Sequence, residues 1–261
     1  MEVFGNVKNY FRYFLAKMGI SIKRESSYTH ISTDHPGFCV NPHEIIYLDF
    51  DFIVRDYLSR LEEPGNVTFL QVGAMDGETA DPLQDYVRRY EWRGLLIEPQ
   101  SYYFEQLQDT YADQENLEFF NGAVDHDSGF RTLYTVDQEA DNLPKWTGGF
   151  ASFDRSHLSS RGLEEWIREE RVPVEHPMDL LERSSLTDID IVQIDVEGFD
   201  AEVVRMLDFE KITPSIVQFE HNHLSSSDHI DVVDMLTSNG YGVAQGGPGS
   251  IDTIAYRRPK K

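Results

Sequence analysis

The sequence predicts an α/β fold built on a doubly wound, mostly parallel seven-stranded sheet, Rossmann-like in outline. Three observations support this. From residue 67 onward short apolar runs alternate with segments of helical spacing. The first run ends in a glycine-containing turn, and acidic residues follow several later runs. The chain of 261 residues, 40% of them apolar, is long enough to bury such a sheet.

The expected strands are 67–72, 94–97, 117–120, 189–194, 216–219, 241–244 and 251–256. Helices are expected over 79–90, 101–111, 199–207 and 230–238. The last two strands are separated only by Gly246, Gly247, Pro248 and Gly249, which predicts an antiparallel hairpin at a sheet edge. Segment 130–176 is less regular. It is read as a cap with one extra strand, a helix over 155–169 and a strand over 172–175. Ile46, Phe50, Ile53, Tyr57 and Leu61 recur at helical spacing before Pro64 and Gly65, which predicts a helix over 43–62 leading into the sheet.

Residues 1–24 form a separate extension. Val3, Phe4, Val7, Tyr10, Phe11, Phe14, Leu15 and Met18 follow a helical period, with Gly19 as a stop. Lys8, Arg12, Lys17, Lys23 and Arg24 make it basic within an acidic chain. Such a helix packs on its own domain, pairs with a second copy in a homo-oligomer, or lies on an anionic membrane surface. Residues 25–42, with Pro36, Gly37 and Pro42, read as a linker, so the expected division is 1–42 and 43–261.

The formal charge of −23 disfavours nucleic acid, whose phosphates would be repelled. Cys39 is the single cysteine, so no internal disulfide forms, and no Cys/His spacing suggests zinc. No apolar run approaches the roughly 20 residues that span a bilayer. These features predict a cytoplasmic protein, peripheral to the inner face of the membrane if the first helix touches lipid.

The candidate site residues follow the strands. After the first strand come Gln71, Val72, Gly73, Ala74, Met75, Asp76 and Gly77. The two glycines permit a tight turn and close backbone approach to a ligand. The pattern is neither Gly-x-Gly-x-x-Gly nor a P-loop, which disfavours nicotinamide cofactors and nucleoside triphosphates. Glu98 closes the second strand at the spacing of a carboxylate that accepts from two ribose hydroxyls. Ala123, after the third strand, is small enough to border a base. Asp195 and Glu197 follow the fourth strand; Glu197 and Asp200 equally suit helix capping. His221 follows the fifth strand and is a candidate base for a hydroxyl proton. With Glu220 or His221, Asp195 and Glu197 would equally suit a divalent metal.

These residues resemble a known family. Residues 69–77, then Asp81-Pro82, then Ile97-Glu98-Pro99, are similar to the opening of FkbM-family methyltransferases. Ile194-Asp195-Val196-Glu197-Gly198-Phe199-Asp200 resembles the family's second hallmark, with Met178-Asp179-Leu180-Leu181 just upstream. The resemblance implies a class I methyltransferase fold with S-adenosylmethionine as donor. It also implies O-methylation of a sugar, glycan or other small natural product. On that reading Gln71, Gly73, Ala74, Asp76, Gly77, Glu98 and Ala123 bind the donor, and Asp195, Glu197 and His221 carry the reaction. The chain departs from the family at Gln71, where many members carry Asp, and at Met75, where Asn is usual. Gln71 can hydrogen-bond the amino acid end of the donor but adds no negative charge. A metal-assisted O-methyltransferase, or a non-catalytic module that binds a partner through residues 1–24, are the alternative readings.

Overall fold

The computed structural model describes residues 21–23, 45–47, 49–144, 147–246 and 251–257. The linker over 25–42, Cys39 and the helix expected up to Gly19 lie outside them. The elements begin with β1 (Ser21–Lys23), β2 (Ile45–Tyr47), α1 (Phe50–Leu58), β3 (Thr68–Val72), α2 (Gln84–Tyr90) and β4 (Arg93–Ile97). There follow α3 (Ser101–Thr110), β5 (Leu117–Phe120), β6 (Ala123–Val124), β7 (Gly129–Val136), β8 (Ala151–Ser152), α4 (Arg155–Ser159) and β9 (Ile167–Glu175). The chain closes with α5 (Pro177–Arg183), β10 (Ile191–Ile194), α6 (Asp200–Met206), β11 (Ile216–Glu220), α7 (Ser226–Ser238), β12 (Gly242–Gly246) and β13 (Asp252–Tyr256). Two compact units result: Met1–Pro64 with Ser215–Lys261, and Gly65–Pro214.

In the unit Gly65–Pro214 the strands run in the order β10-β3-β4-β5, all parallel. Parallel neighbours require crossovers, and α2 and α3 supply them. β3 is buried along its whole length, as expected of a strand covered on both faces. The start of β3 is fixed by Asp190, whose carboxylate accepts the Thr68 N–H at 2.9 Å. Behind β4, Trp92 is fully buried, stacked on Tyr86 at 5.5 Å and tilted against Phe69 at 6.4 Å, which ties α2 to the sheet. A second, four-stranded sheet in the order β6-β9-β7-β8 lies between β5 and β10 in sequence. Its core is Leu133, Val172 and Val174, with a neighbouring cluster of Val136, Leu158 and Leu163.

In the other unit β13 pairs antiparallel with both β11 and β12. β2 joins β12 in parallel through Gln245 and Tyr47, and β1 pairs antiparallel with β2. α1 begins at Asp49, whose carboxylate accepts the Asp51 N–H at 2.9 Å, and α7 begins at Ser225, which caps Asp228. Tyr256 of β13 donates to Asp56 of α1 at 3.1 Å.

Several expectations are corrected. The seven expected strands all form, but the pairing is mixed rather than mostly parallel, because β13 runs against both its neighbours. The β12–β13 hairpin is antiparallel as expected but is not an edge, since β2 and β1 continue beyond β12. Ile45–Tyr47 is a strand, and the helix expected from 43 starts only at Phe50, after the Asp49 cap. Ser21–Lys23, beyond the expected stop at Gly19, is also a strand. The helix expected over 155–169 is one short turn. Gly162, at φ +76, breaks it, and Ile167 already starts β9. No helix among the described residues is long and apolar enough to cross a membrane.

Replacing Trp92 by Ala removes the largest buried side chain between α2 and β4 and is expected to lower stability by about 3–5 kcal/mol. Urea unfolding measures it. A loss within about 1 kcal/mol would show that the aromatic stack does not hold α2 in place.

Candidate active site

Strand register decides what meets at the carboxyl edge of the parallel strands. Val72 pairs with Ile97 on one side and Ile194 on the other, and Ile97 pairs with Phe120. Gly73, Glu98, Asn121 and Asp195 therefore leave their strands at one level. The chain moves outward from β3 to β4 and β5, then returns on the opposite side of β3 as β10. The β3/β10 border is thus a topological switch point, where open parallel sheets bind ligands.

The turn after β3 is built for close approach. Gly73 has φ +83, and a Cβ there would lie 1.8 Å from the Asp195 carbonyl oxygen. The Gly73 and Ala74 N–H groups both donate to Ile97 O, at 2.9 and 3.0 Å. Met75 and Gly77 are also left-handed, at φ 48 and 70. A Cβ on Gly77 would fall 2.6 Å from the Tyr111 ring and 2.7 Å from Leu107, so the turn rests on the end of α3. Asp76 is spent on the turn itself. Its carboxylate accepts the Glu78 and Thr79 N–H groups and the Thr79 hydroxyl, at 3.0, 2.7 and 2.6 Å. Burial alone would raise its proton affinity, but the Thr79 and Glu78 hydrogen bonds hold the carboxyl below its ordinary value. Asp76 therefore shapes the pocket by fixing backbone.

Glu98 is 3% exposed. One oxygen accepts the Met75 N–H at 2.9 Å and the other the Gln100 N–H at 2.8 Å. Asn121 Nδ2 and the Gly122 N–H both donate to the Glu98 carbonyl, at 3.0 and 3.2 Å. Desolvation pushes its carboxyl up to about 7, against the pull of the two backbone donors. Each carboxylate oxygen retains a lone pair for a ligand hydroxyl. Beneath the turn, Gln71 is 2% exposed, and its Oε1 has no hydrogen-bond partner. The buried Oε1 of Gln193, in register on β10, is in the same state. Unsatisfied buried acceptors of this kind are costly and fit a site completed by a ligand donor.

Asp195 stays accessible to solvent yet is crowded by protein, and desolvation raises its carboxyl. Glu197 is left-handed at φ 53 and is followed by Gly198 at φ 105. A non-glycine residue held in that region marks a constrained backbone. Burial, then the charge of Asp195, push the Glu197 carboxyl up to about 7, with Arg161 opposing at 3.6 Å. The Arg161 guanidinium also lies 4.3 Å from the centre of the Phe150 ring. Asp200 is fully buried and ties the loop, accepting the Val196 and Gly198 N–H groups at 3.4 and 3.1 Å. Burial and Asp195 raise it to about 7 as well.

Gln71, Gly73, Ala74, Asp76, Gly77, Glu98, Asp195 and Glu197 thus all belong to the unit Gly65–Pro214, at or beneath the carboxyl edge of its parallel strands. Ala123 lies on β6 and packs on the core of the second sheet. His221 belongs to the other unit. There it stacks on His229 at 4.4 Å, with the Thr253 hydroxyl bridging the two rings at 3.0 and 2.7 Å. Desolvation, helped by His229, lowers His221 to about 4.

Sequence reasoning missed Gln100, Asn121, Gly149 and Arg161. The Gln100 amide donates to Gly149 O at 2.8 Å, and the Gly149 N–H donates to the Tyr103 hydroxyl at 3.0 Å. Asn121-Gly122 was a visible turn signal at a strand end; Gly149 and Arg161 sit in a stretch without periodicity.

The model of the methyltransferase FkbM domain matches residues 71–243. Among solved structures, an FkbM methyltransferase from Methylobacillus flagellatus KT superposes with a TM-score of 0.50 at 14% identity. The match covers 81% of this chain and 48% of that one, so this chain spans about half its length. The METTL16 methyltransferase domain aligns with a TM-score of 0.46 at 11% identity, over 81% of this chain and 67% of that one. At these identities the likeness concerns the fold alone. No curated protein matches in sequence.

The raised carboxyls make stability depend on pH. An acid whose folded pKa is raised holds its proton in the native state after the unfolded chain has released it. Stability is therefore expected to fall as pH rises from the ordinary carboxyl range near 4 to about 7, through Glu98, Glu197 and Asp200. Urea midpoints across that range test the sign, and Glu98→Gln is expected to flatten the slope. A midpoint that climbs through the window would mean that these carboxyls titrate normally.

Proposed function

The chain belongs to the FkbM methyltransferase family, and from that premise we propose that it transfers a methyl group from S-adenosylmethionine to a hydroxyl of a sugar, glycan or other small natural product. The observation that carries the reading is the switch-point turn: a glycine pressed on the neighbouring strand's carbonyl, with a buried carboxylate one strand away. The residues fit a nucleoside with a charged tail. Glu98 would accept from the ribose hydroxyls, the backbone of Gly73–Gly77 would lie against the thioether side, and Gln71 Oε1 would take a donor from the amino acid end. When bound, S-adenosylmethionine supplies a methyl group activated by a positively charged sulfur.

The protein's own tasks are orientation and proton removal. Much of the acceleration of a methyl transfer comes from holding nucleophile and methyl in line. An acceptor hydroxyl must also lose a proton, and a base works best with a pKa near the working pH. Glu197, at about 7, meets that condition, whereas His221, at about 4, is a weak base. We therefore assign proton removal to Glu197 in place of His221. Asp195 adds negative charge beside it, which favours a cationic donor and raises Glu197 further.

Two outcomes follow. Glu98→Ala is expected to weaken S-adenosylmethionine at least about tenfold by isothermal titration, the loss of charge-assisted hydrogen bonds; an unchanged Kd would remove the ribose assignment. The kcat/KM for methyl transfer is expected to rise with pH through about 7 as Glu197 deprotonates. Glu197→Gln should lower it by about 10²–10⁴ and abolish the rise. If His221→Gln abolishes the rise and Glu197→Gln does not, the base is His221.

A further inference from the structure

Glu197 is presented to the site by a constrained loop, and a cation from segment 130–176 meets it there. Arg161 Nη1 lies 3.6 Å from Glu197 Oε2, and both side chains are partly buried. The position of that cation is fixed from two directions. Its backbone belongs to the turn that ends α4, where the Gly162 N–H donates to Ser159 O at 3.0 Å and the Leu163 N–H to Leu158 O at 3.3 Å. With Gly162 left-handed at φ +76, this is the Schellman pattern, and its apolar partners Leu158 and Leu163 are buried in one cluster. The guanidinium lies over the Phe150 ring, 4.3 Å from its centre, and Phe150 packs on that same cluster. A long side chain with many rotamers is thereby held in one place.

The distance decides what the cation does. An N–H···O hydrogen bond spans about 2.7–3.2 Å. At 3.6 Å Arg161 gives Glu197 charge and orientation without a short bond that would occupy the carboxylate. Arg168 and Asp137, in the same unit, make the contrast as a closed ion pair at 2.6 Å. A carboxylate locked in a closed pair is a poor base, since its lone pairs are bound to donors. His157, four residues before Arg161, does not compete for Glu197. Burial and then the charge of Arg161 hold its imidazole below its ordinary value, so it stays neutral.

We propose that Arg161 is a positioning residue: clamped by Phe150, it aims the Glu197 carboxylate at the acceptor hydroxyl. The inference rests on the reading of Glu197 as the base and adds the group that orients it. It also gives the stretch 147–163 a role in the reaction, since ring and guanidinium both come from it.

The test follows methyl transfer from radiolabelled S-adenosylmethionine to the methyl α-glycosides of glucose, galactose, mannose and rhamnose, the best of which serves for all variants. Arg161→Met is expected to lower kcat about 10²-fold, the scale of a misplaced catalytic group, with KM for the glycoside and Kd for S-adenosylhomocysteine changed by less than about twofold. Arg161→Lys, which keeps a cation over the ring, should recover about tenfold of that loss. Guanidinium added well below denaturing concentration should restore part of the activity of Arg161→Ala, a response that a merely structural loss would not give. Phe150→Leu should lower kcat about tenfold, and it decides the matter if Arg161→Met does not fold. An unchanged kcat in Arg161→Met, or a loss that neither Lys nor guanidinium restores, would overturn the role of Arg161 while leaving Glu197 as the base. Full activity of Glu197→Gln would overturn the base reading, and no transfer to any glycoside by the wild type would overturn the sugar reading; either takes this inference with it.

Discussion

The candidate site depends on one contact: the backbone of Gly73 lies against the carbonyl of Asp195 with no room for a side chain. That contact sets β3 and β10 close at their carboxyl ends, where the chain changes direction across the sheet. Because Gly73 is left-handed, the following residues turn away from the sheet and down onto Tyr111 and Leu107. The same contact brings the Asp195–Asp200 loop beside the turn. Any side chain at Gly73 would have to displace the main chain at Asp195, just beyond β10, and backbone does not yield as the end of a flexible side chain would.

Around that contact the protein concentrates negative groups. Glu98, Glu197 and Asp200 are each pushed up to about 7, and burial is the first cause in every case. Arg161 is the cation placed against Glu197, and backbone N–H groups serve Glu98 and Asp200. Such groups are held by dipoles more than by opposite charge, an arrangement that costs stability and suits a cationic guest.

Much of this was legible in the chain. The parallel strands announced themselves as short apolar runs, and Gly73, Gly77, Glu98, Asp195 and Glu197 were found because they follow such runs. What was not legible has physical causes. Ile46, Phe50, Ile53, Tyr57 and Leu61 keep one helical period across a strand-to-helix boundary, and only Asp49, a good cap, marks it. β7 and β9 pair over eight residues, but the first four residues of β7 are exposed and much of β9 is only partly buried, so neither shows a continuous apolar run. Asp76 reads as a pocket residue by position, yet its carboxylate is consumed by its own turn. Ala123, three residues after β5, already starts a strand of the second sheet. The roles of Gln100 and Arg161 depend on contacts across 11 to 49 residues of sequence, and no local pattern encodes those.

The two oxygens of the Glu98 carboxylate tie separate segments together. One oxygen fixes the Met75 N–H in the turn; the other fixes Gln100, whose amide holds the carbonyl of Gly149. Turn and cap segment are therefore spliced through a single side chain. Grafting a foreign 138–170 segment would alter the turn as well, unless the graft presents a carbonyl where Gly149 now does. The cap is not an interchangeable module, even though its sequence looks like the least constrained part of the chain.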